Sequence, residues 1–164
     1  MSSWRWPTRP EGASAPKIKL RAMRLEDLPA VMEVEHLAYE FPWTEGIFRD
    51  CLRVGYCCRV LHEGGRLVGH GVMVVAAGEC HILNICIHPR YQRRGLGREL
   101  LTHLLGVARK AQATIALLEV RRSNRGAYAL YHALGFNEIG LRKNYYPARR
   151  GREDALVLAL ELST

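Results

Sequence analysis

Apolar residues recur along this chain with two different periods, and each period predicts one type of element. A period of two predicts seven strands, at residues 18–22, 56–61, 67–75, 79–87, 115–120, 136–143 and 155–161. A helical period predicts four helices, at residues 27–39, at 45–53, from a glycine-rich turn to about residue 110, and between Ser123 and Gly135. The Gly64-Gly65 pair predicts a tight hairpin between the second and third strands.

Residues that favour helix ends support these boundaries. Thr44 and Ser123 can each accept a hydrogen bond from the first turn of a helix. Pro29 is tolerated in a first turn, and Gly135 suits the position after a last turn. Helices alternate with strands, and a hairpin meander lies in the middle. We therefore expect an α/β (α+β) fold, in which about seven strands form one mixed sheet and about four helices cover both faces.

Length and composition indicate a single domain. The 164 residues suit one hydrophobic core, and we expect the domain to span residues 17–164 after a flexible leader at residues 1–16. The leader lacks the apolar stretch of a secretory signal, and no apolar run approaches the roughly 20 residues that cross a membrane. Five cysteines without a Cys-x-x-Cys spacing predict neither a disulfide framework nor a zinc site. We expect reduced thiols, a cytoplasmic location and no bound metal.

Between the fourth strand and the third helix lies the glycine-rich segment Gln92-Arg93-Arg94-Gly95-Leu96-Gly97-Arg98. Its two glycines let backbone N–H groups approach an anion closely, and the helix N-terminus directs its positive dipole end to the same place. Its three arginines add positive charge to a chain whose net charge is +8. The segment predicts a pyrophosphate site. A P-loop nucleotide site is excluded because the Gly-Lys-Ser/Thr ending is absent.

Glu119 and Tyr131 are the candidates for proton transfer. Glu119 lies on an apolar face of its strand, where a carboxylate either serves chemistry or reaches water and pairs with Arg121 or Arg122. Tyr131 lies on the apolar stripe of the fourth helix, either as a core tyrosine with a bonded hydroxyl or as a phenol that can donate a proton at the strand ends. The nearby glycine-rich segment and Glu119 favour the chemical interpretation of Tyr131.

Several motifs together resemble one enzyme family. They are Gln92-x-x-Gly95-x-Gly97, Leu118-Glu119-Val120-Arg121, Ser123-Asn124 with Ala129-Leu130-Tyr131, Leu134-Gly135-Phe136-Asn137, Asn144-Tyr145-Tyr146-Pro147 with Glu153-Asp154-Ala155, and Phe41-Pro42-Trp43 upstream. The glycine motif is similar to the acetyl-CoA signature of the GNAT superfamily of N-acetyltransferases. The whole set, over about residues 17–162, resembles the bacterial RimI subfamily of ribosomal-protein alanine N-acetyltransferases. The resemblance implies the GNAT fold and acetyl-CoA as the co-substrate.

The resemblance also implies roles for individual residues. Glu119 would act as the general base toward the substrate amine, and Tyr131 as the general acid toward the departing thiolate. The residues implied in holding acetyl-CoA are Ile85, Cys86, Ile87, Arg93, Arg94, Gly95, Leu96, Gly97, Arg98 and Asn124. The first three would act through their backbone. Cys86 and His88 differ from the residues that are more usual in this subfamily, and a backbone contact at position 86 does not depend on the side chain.

The substrate implied by the resemblance is the N-terminal amine, on alanine, of a small-subunit ribosomal protein. Glu35, on the inner face of the first helix, either binds the incoming ammonium or lies at the rim. Trp43, Tyr145 and Tyr146 either line a groove for an extended peptide or cover the core. Five basic residues near the C-terminus either favour acidic substrates or keep the protein soluble, and these are Arg142, Lys143, Arg149, Arg150 and Arg152.

Two other functions stay open at this stage. One is acetylation of lysine side chains or a small amine, against which the Asn-Tyr-Tyr-Pro motif argues. The other is a non-catalytic module that binds acyl-CoA or RNA through its basic face, which is disfavoured because Glu119 and Tyr131 are both present. We expect a monomer with no membrane attachment and no stable nucleic-acid partner.

Overall fold

The structure is a computed structural model that describes residues 16–162, so the predicted leader at residues 1–16 lies outside the described range except for Pro16. The strands are β1 (Ile18–Ala22), β2 (Cys57–Glu63), β3 (Arg66–Ala76), β4 (Glu79–Ile87), β5 (Ile115–Arg121), β6 (Asn137–Pro147) and β7 (Arg152–Glu161). The α-helices are α1 (Leu28–Ala38), α2 (Glu45–Arg53), α3 (Leu96–Lys110) and α4 (Arg125–Ala133). Two 3-10 turns, Leu25–Asp27 and Pro89–Tyr91, precede α1 and α3. Every predicted strand and helix is present.

The strands form one mixed sheet in the order β1-β2-β3-β4-β5-β7-β6. Neighbours are antiparallel except for β4 and β5, which are parallel. The β4–β5 pairing runs only from Glu79 and Ile115 to Ile82 and Leu118, although both strands continue beyond these residues. The two strands therefore part at their C-terminal ends, and an opening forms in the middle of the sheet.

Helices cover both faces of this sheet, as predicted. Leu100 and Leu104 of α3 are fully buried in one apolar cluster, and Leu28 of α1 and Phe48 of α2 are fully buried in a second. Burying one side chain of this size contributes about 1.5–3 kcal/mol, so both clusters hold the helices firmly on the sheet. In the described part of the chain, no helix combines the length and the apolar character needed to cross a membrane.

The helix caps agree with the sequence at α2 and differ at α4. The Thr44 hydroxyl accepts a hydrogen bond from the Ile47 N–H, as predicted. At α4 the prediction of Ser123 was wrong, because Asn124 Oδ1 accepts from the Ala127 N–H at 3.2 Å. The Ser123 N–H instead donates to a carboxylate oxygen of Glu153. The Ser123 N–H thereby fixes the turn before α4 to β7, and Asn124 caps the helix.

The hairpin at Gly64-Gly65 lies where the sequence predicts it, and several strands are longer than predicted. Gly64 and Gly65 join β2 to β3 with φ values of 59° and 84°, which suits a hairpin of two left-handed residues. The last hairpin extends β6 to Pro147 and starts β7 at Arg152. The register between these two strands shifts twice. Such bulges break the alternation of side chains, which is why the periodic pattern ends early.

Candidate active site

Two adjoining cavities occupy the region where β4 and β5 part. The larger has a volume of about 840 Å³ and the smaller about 340 Å³. Six residues line both of them, namely Tyr39, Phe41, Ile85, Arg121, Asn124 and Tyr131. Because these residues are shared, we treat the two cavities as one cleft with a larger and a smaller part.

The glycine-rich segment forms one end of the larger part. Gly95 is the N-cap of α3 with a φ of 80°, a left-handed conformation that favours glycine. The α3 N-terminus therefore begins at the cleft, and Arg93, Gly95, Gly97 and Arg98 line it. A Cβ at position 97 would lie 3.2 Å from Cδ2 of Leu130, so glycine also permits close packing of α3 on α4. Unpaired N–H groups, a helix dipole and two arginines make this end suited to a phosphate group.

Two of the residues expected at this end do not bring their side chains to the cleft. The Arg94 guanidinium bonds to Glu63 Oε2 at 3.0 Å and lies over the Tyr91 ring. The Leu96 side chain is buried in the core of the α3 face. Neither residue lines the cleft in the described structure. Of the three arginines of the segment, Arg93 and Arg98 therefore line the cleft.

The edge of β4 that faces the opening is partly occupied by side chains. The Ile85 carbonyl accepts a hydrogen bond from the Tyr39 hydroxyl, and the Ile87 carbonyl accepts one from Gln92 Nε2 at 2.9 Å. The Cys86 side chain points to the other face, with its Sγ 3.9 Å from the Val34 carbonyl. By strand alternation, the N–H groups of Ile85 and Ile87 face the same side as their carbonyls. These N–H groups are the donors that this edge can offer to an extended ligand.

Glu119 and Tyr131 face the same cleft. Glu119 lines its smaller part, and Tyr131 lines both parts. Of the two expected partners of Glu119, Arg121 pairs with Glu153 at 3.1 Å. The second, Arg122, pairs with Asp154 at 3.7 Å. Instead, Glu119 Oε1 lies 3.2 Å from Nε of Arg142, and 27% of the Glu119 side chain is exposed. The carboxylate is therefore paired on one side and accessible from the cleft.

The Tyr131 hydroxyl keeps its proton near neutral pH. The residue is 8% exposed, and its ring packs edge-on against Phe136. Burial is the main cause that raises the pKa of Tyr131 well above its usual range. Burial, followed by the charge of Glu119, also raises the pKa of Tyr146 to about 12. Two neutral phenols therefore lie near the one carboxylate of β5.

Glu35 lies on the inner face of α1, 1% exposed, beneath the smaller part of the cleft. Its carboxylate accepts hydrogen bonds from His70 Nε2 at 2.8 Å, from Asn84 Nδ2 at 3.2 Å and from the Trp43 N–H at 3.0 Å. A rim position, the other interpretation of Glu35, is thereby excluded. His70, which is fully buried, was missed because it lies within an otherwise apolar strand and gives no local signal.

The same cluster brings three groups of metal-ligand type together. Ligand atoms of Glu35, His70 and Cys86 all lie within 4.8 Å of one another. Three hydrogen-bond donors already satisfy the carboxylate, and burial raises the pKa of the Cys86 thiol well above its usual range. A thiol that stays protonated is a poor metal ligand. We interpret the cluster as a hydrogen-bonded framework that joins α1, β3 and β4 to the Phe41-Pro42-Trp43 loop.

Aromatic side chains surround the smaller part of the cleft. Trp43 lines it and packs against Phe48 with ring centroids 5.3 Å apart. Tyr146 also lines it, whereas Tyr145 is 42% exposed and stacks edge-on against Tyr146. Trp43 and Tyr146 can therefore contact a bound molecule directly, and Tyr145 supports Tyr146 from outside.

Several basic residues near the cleft have partners within the protein. Arg149 pairs with Glu40, Arg152 donates to the carbonyls of Asn144 and Tyr145, and Arg142 pairs with Glu119. These contacts fix the β6–β7 hairpin beside the opening. They also give three of the five basic residues a structural role that the sequence did not indicate.

Comparison with known proteins agrees with this geometry. Residues 20–136 match the model of the acetyltransferase (GNAT) family. Over 144 residues the chain is 41% identical to the ribosomal protein bS18-alanine N-acetyltransferase of Escherichia coli K12, which covers 88% of this chain and 97% of that protein. The crystal structure of the ribosomal-protein-S18-alanine N-acetyltransferase from Escherichia coli has a TM-score of 0.84 at 40% identity, over 90% of this chain and 96% of that one. Arabidopsis thaliana Naa50, in complex with a bisubstrate analogue, shares the fold, with a TM-score of 0.77 at 20% identity over 88% of this chain and 98% of that one.

Proposed function

Since this chain belongs to the acetyltransferase (GNAT) family and is an N-acetyltransferase, we propose that it transfers acetyl from acetyl-CoA to the N-terminal amine of a ribosomal protein. The proposed acceptor is an N-terminal alanine of the bS18 type, as in the name of the 41% identical relative. The observation that carries the proposal is that Glu119 and Tyr131 line one cleft, at the point where β4 and β5 part.

The residues of the larger part of the cleft fit acetyl-CoA, which when bound supplies the acetyl thioester. Arg93, Arg98 and the N-terminus of α3 would hold its pyrophosphate. The N–H groups of Ile85 and Ile87 would pair with its extended arm, in the manner of an added strand. Asn124 lines both parts of the cleft, and its capping bond to α4 would hold its side chain where it could contact the arm.

Glu119 is the proposed general base. An α-amine has a pKa of roughly 7.7–8.0, so near neutral pH most of it is protonated and cannot attack a carbonyl. The Glu119 carboxylate, accessible from the smaller part of the cleft, would accept that proton directly or through water. Trp43 and Tyr146 would line the path of the first residues of the peptide.

Tyr131 is the proposed general acid. A departing thiolate with a pKa of about 8.5 is a better leaving group when it receives a proton. Tyr131 lines both parts of the cleft, and burial raises the pKa of its hydroxyl, which favours the neutral form. Glu119 would thus remove a proton on the amine side, and Tyr131 would donate one on the thiolate side.

The test uses two peptides that differ only at the N-terminal amine. Both carry the first residues of a small-subunit ribosomal protein, beginning with alanine, and both contain one lysine; in the second the N-terminus is blocked. We expect acetylation of the free α-amine only, located by mass spectrometry of the products. Modification of lysine in the blocked peptide alone would instead support the other candidate, a lysine or small-amine acetyltransferase. Mass spectrometry of ribosomal protein N-termini, in cells with and without this protein, identifies the natural substrate.

A further inference from the structure

Arg142 reaches Glu119 across an intervening strand. In the sheet, β7 lies between β5 and β6, and the register places Arg121, Ala155 and Arg142 in one row. Glu119 is two residues before Arg121, so it lies on the same face. The small side chain of Ala155 lets the long side chain of Arg142 lie across β7, and Ala155 itself is fully buried. The result is the 3.2 Å contact between Nε of Arg142 and Oε1 of Glu119.

An aromatic ring lies against the Arg142 guanidinium. Its Cζ lies 5.5 Å from the centroid of the Tyr145 ring, and the Tyr145 ring packs edge-on against Tyr146 at 4.9 Å. Tyr146 in turn lies beneath the Arg121 guanidinium at 4.5 Å. A guanidinium stacked on a ring loses less freedom when it binds a carboxylate than a free side chain does. The Arg142 side chain is 57% exposed, and the ring contact limits the positions that its guanidinium can take beside Glu119.

We propose that Arg142 is a positioning residue for the reaction, which holds the Glu119 carboxylate toward the cleft. This inference rests on the proposed function. Arg142 binds Oε1, and Oε2 is the oxygen that takes the proton. In that step an N–H bond of the substrate ammonium breaks, an O–H bond forms at Oε2, and the proton later passes to solvent. Arg142 contacts the carboxylate and takes no part in the proton transfer itself.

Other nearby cations are committed elsewhere. Arg121 is bound by Glu153 and by the Pro147 carbonyl, and Arg122 pairs with Asp154. Arg142 is the cation that contacts the carboxylate of Glu119 among the described residues. Its loss would free the carboxylate to turn away from the substrate while acetyl-CoA binding, at the other part of the cleft, stays intact.

A double-mutant cycle tests this proposal. The four proteins are the wild type, Glu119→Gln, Arg142→Gln and the double variant, assayed with the free N-terminal peptide and with acetyl-CoA. We expect Arg142→Gln to lower kcat by roughly tenfold, a size typical of residues in contact, with no change in the KM for acetyl-CoA. In the Glu119→Gln background the same substitution should have no further effect on kcat. Arg142→Lys should recover part of the lost rate, because it keeps the charge but loses the planar contact with the ring.

The matched control is Arg122→Gln, which removes a similar arginine that pairs with the same hairpin; its kcat should equal that of the wild type. Equal effects of Arg142→Gln in both backgrounds, or an unchanged kcat, would overturn the inference and leave the proposed function standing. Full activity of Glu119→Gln would overturn the general-base assignment and this inference together. Circular dichroism and thermal melting of each variant separate loss of fold from loss of rate.

Discussion

The Tyr39 hydroxyl donates a hydrogen bond to the Ile85 carbonyl and so ties the end of α1 to the open edge of β4. Tyr39 lines both parts of the cleft, and burial raises its pKa well above the usual range, so it remains a donor. The bond occupies an acceptor that an extended ligand could otherwise use. It also fixes the part of β4 in which the N–H groups of Ile85 and Ile87 face the opening.

Tyr39→Phe should therefore weaken acetyl-CoA binding without slowing the chemistry. Loss of one hydrogen bond of this kind corresponds to roughly a 2- to 10-fold rise in the KM for acetyl-CoA, and kcat should be unchanged. Steady-state rates at varied acetyl-CoA measure both parameters. The control is Tyr128→Phe, which removes an exposed hydroxyl 3.4 Å from Glu138 and should leave both unchanged. A loss of kcat in Tyr39→Phe would assign this phenol to the chemical step instead.

Glu119→Gln should lower kcat by roughly 10²- to 10⁴-fold, the usual contribution of a general base. The affinity for acetyl-CoA should be retained, because the arginines and the α3 N-terminus lie in the other part of the cleft. Initial rates and calorimetric titration with CoA measure the two effects. Glu161→Gln, at the opposite end of the β5–β7 pair, is the control and should be fully active.

The pH profile should show no fall on the alkaline side up to about pH 10. The rate at low peptide concentration rises as the α-amine loses its proton near pH 8. The proposed general acid, Tyr131, must stay protonated, and burial raises its pKa well above that pH. The measurement is kcat/KM for the peptide between about pH 6 and pH 10. A decline near pH 8.5 to 9 would point to a different proton donor.

Two glycines of the α3 segment should respond in opposite ways to the same substitution. Gly95→Ala should lower the free energy of unfolding by about 1–2 kcal/mol, because φ is 80° there and a Cβ is strained in that region. Gly106→Ala, inside α3, should raise it by about 0.5–1 kcal/mol, since alanine favours a helix. Nothing lies within 4 Å of the added Cβ at either position. Urea denaturation measures the free energy of unfolding of both variants. If the two substitutions change it in the same direction, the backbone explanation is wrong.

Asp27 should make the stability depend on acidic pH. Its two carboxylate oxygens each lie 2.7 Å from Arg21 nitrogens, and this hydrogen bonding is the largest cause that lowers the pKa of Asp27 below its ordinary 3.8. A lowered folded-state pKa gives stability that is complete above 3.8 and is lost as the pH falls through the folded-state value.

Asp27→Asn should therefore cost about 1.5–3 kcal/mol of unfolding free energy at neutral pH, and the difference from the wild type should shrink in acid. The control is Asp50→Asn, which removes an exposed pair with Arg53 and should cost less than about 1 kcal/mol. Denaturant unfolding of the three proteins at several pH values decides the matter. A constant difference at all pH values would mean that the ion pair is not its source.

The sequence predicts those parts of the structure that local patterns encode. The strand before the glycine-rich segment and the helix after it follow from period and composition, and the left-handed Gly95 confirms the reason for a glycine there. Glu119 and Tyr131 line one cleft because they are close in the chain, on a strand and a helix that are joined by one short turn. Ser123 and Asn124 can both cap a helix, so the sequence does not show that Asn124 is the cap. The choice depends on a distant contact, the bond from the Ser123 N–H to Glu153 of β7.

Contacts between distant segments could not be predicted in the same way. Arg142 meets Glu119 because β7, the last strand in the chain, inserts between β5 and β6. The sequence does not reveal this strand order. It therefore predicts Arg121 or Arg122, which are close to Glu119 in the chain, as the partner of Glu119. His70 and Glu35 are likewise 35 residues apart. A buried histidine inside an apolar strand looks, in sequence, like any interruption of the apolar pattern.

The irregular course of β6 has a consequence for solubility. This strand forms an outer boundary of the sheet, runs for 11 residues and is exposed along nearly its whole length, including Ile139 and Leu141. A straight strand of that kind would be a template on which further copies could assemble into fibres. The two shifts in its register interrupt the regular row of peptide groups, and the charges of Arg142 and Lys143 disfavour pairing with another strand. We therefore expect these shifts, which lie on either side of Arg142 in β6, to protect this boundary against self-association as well.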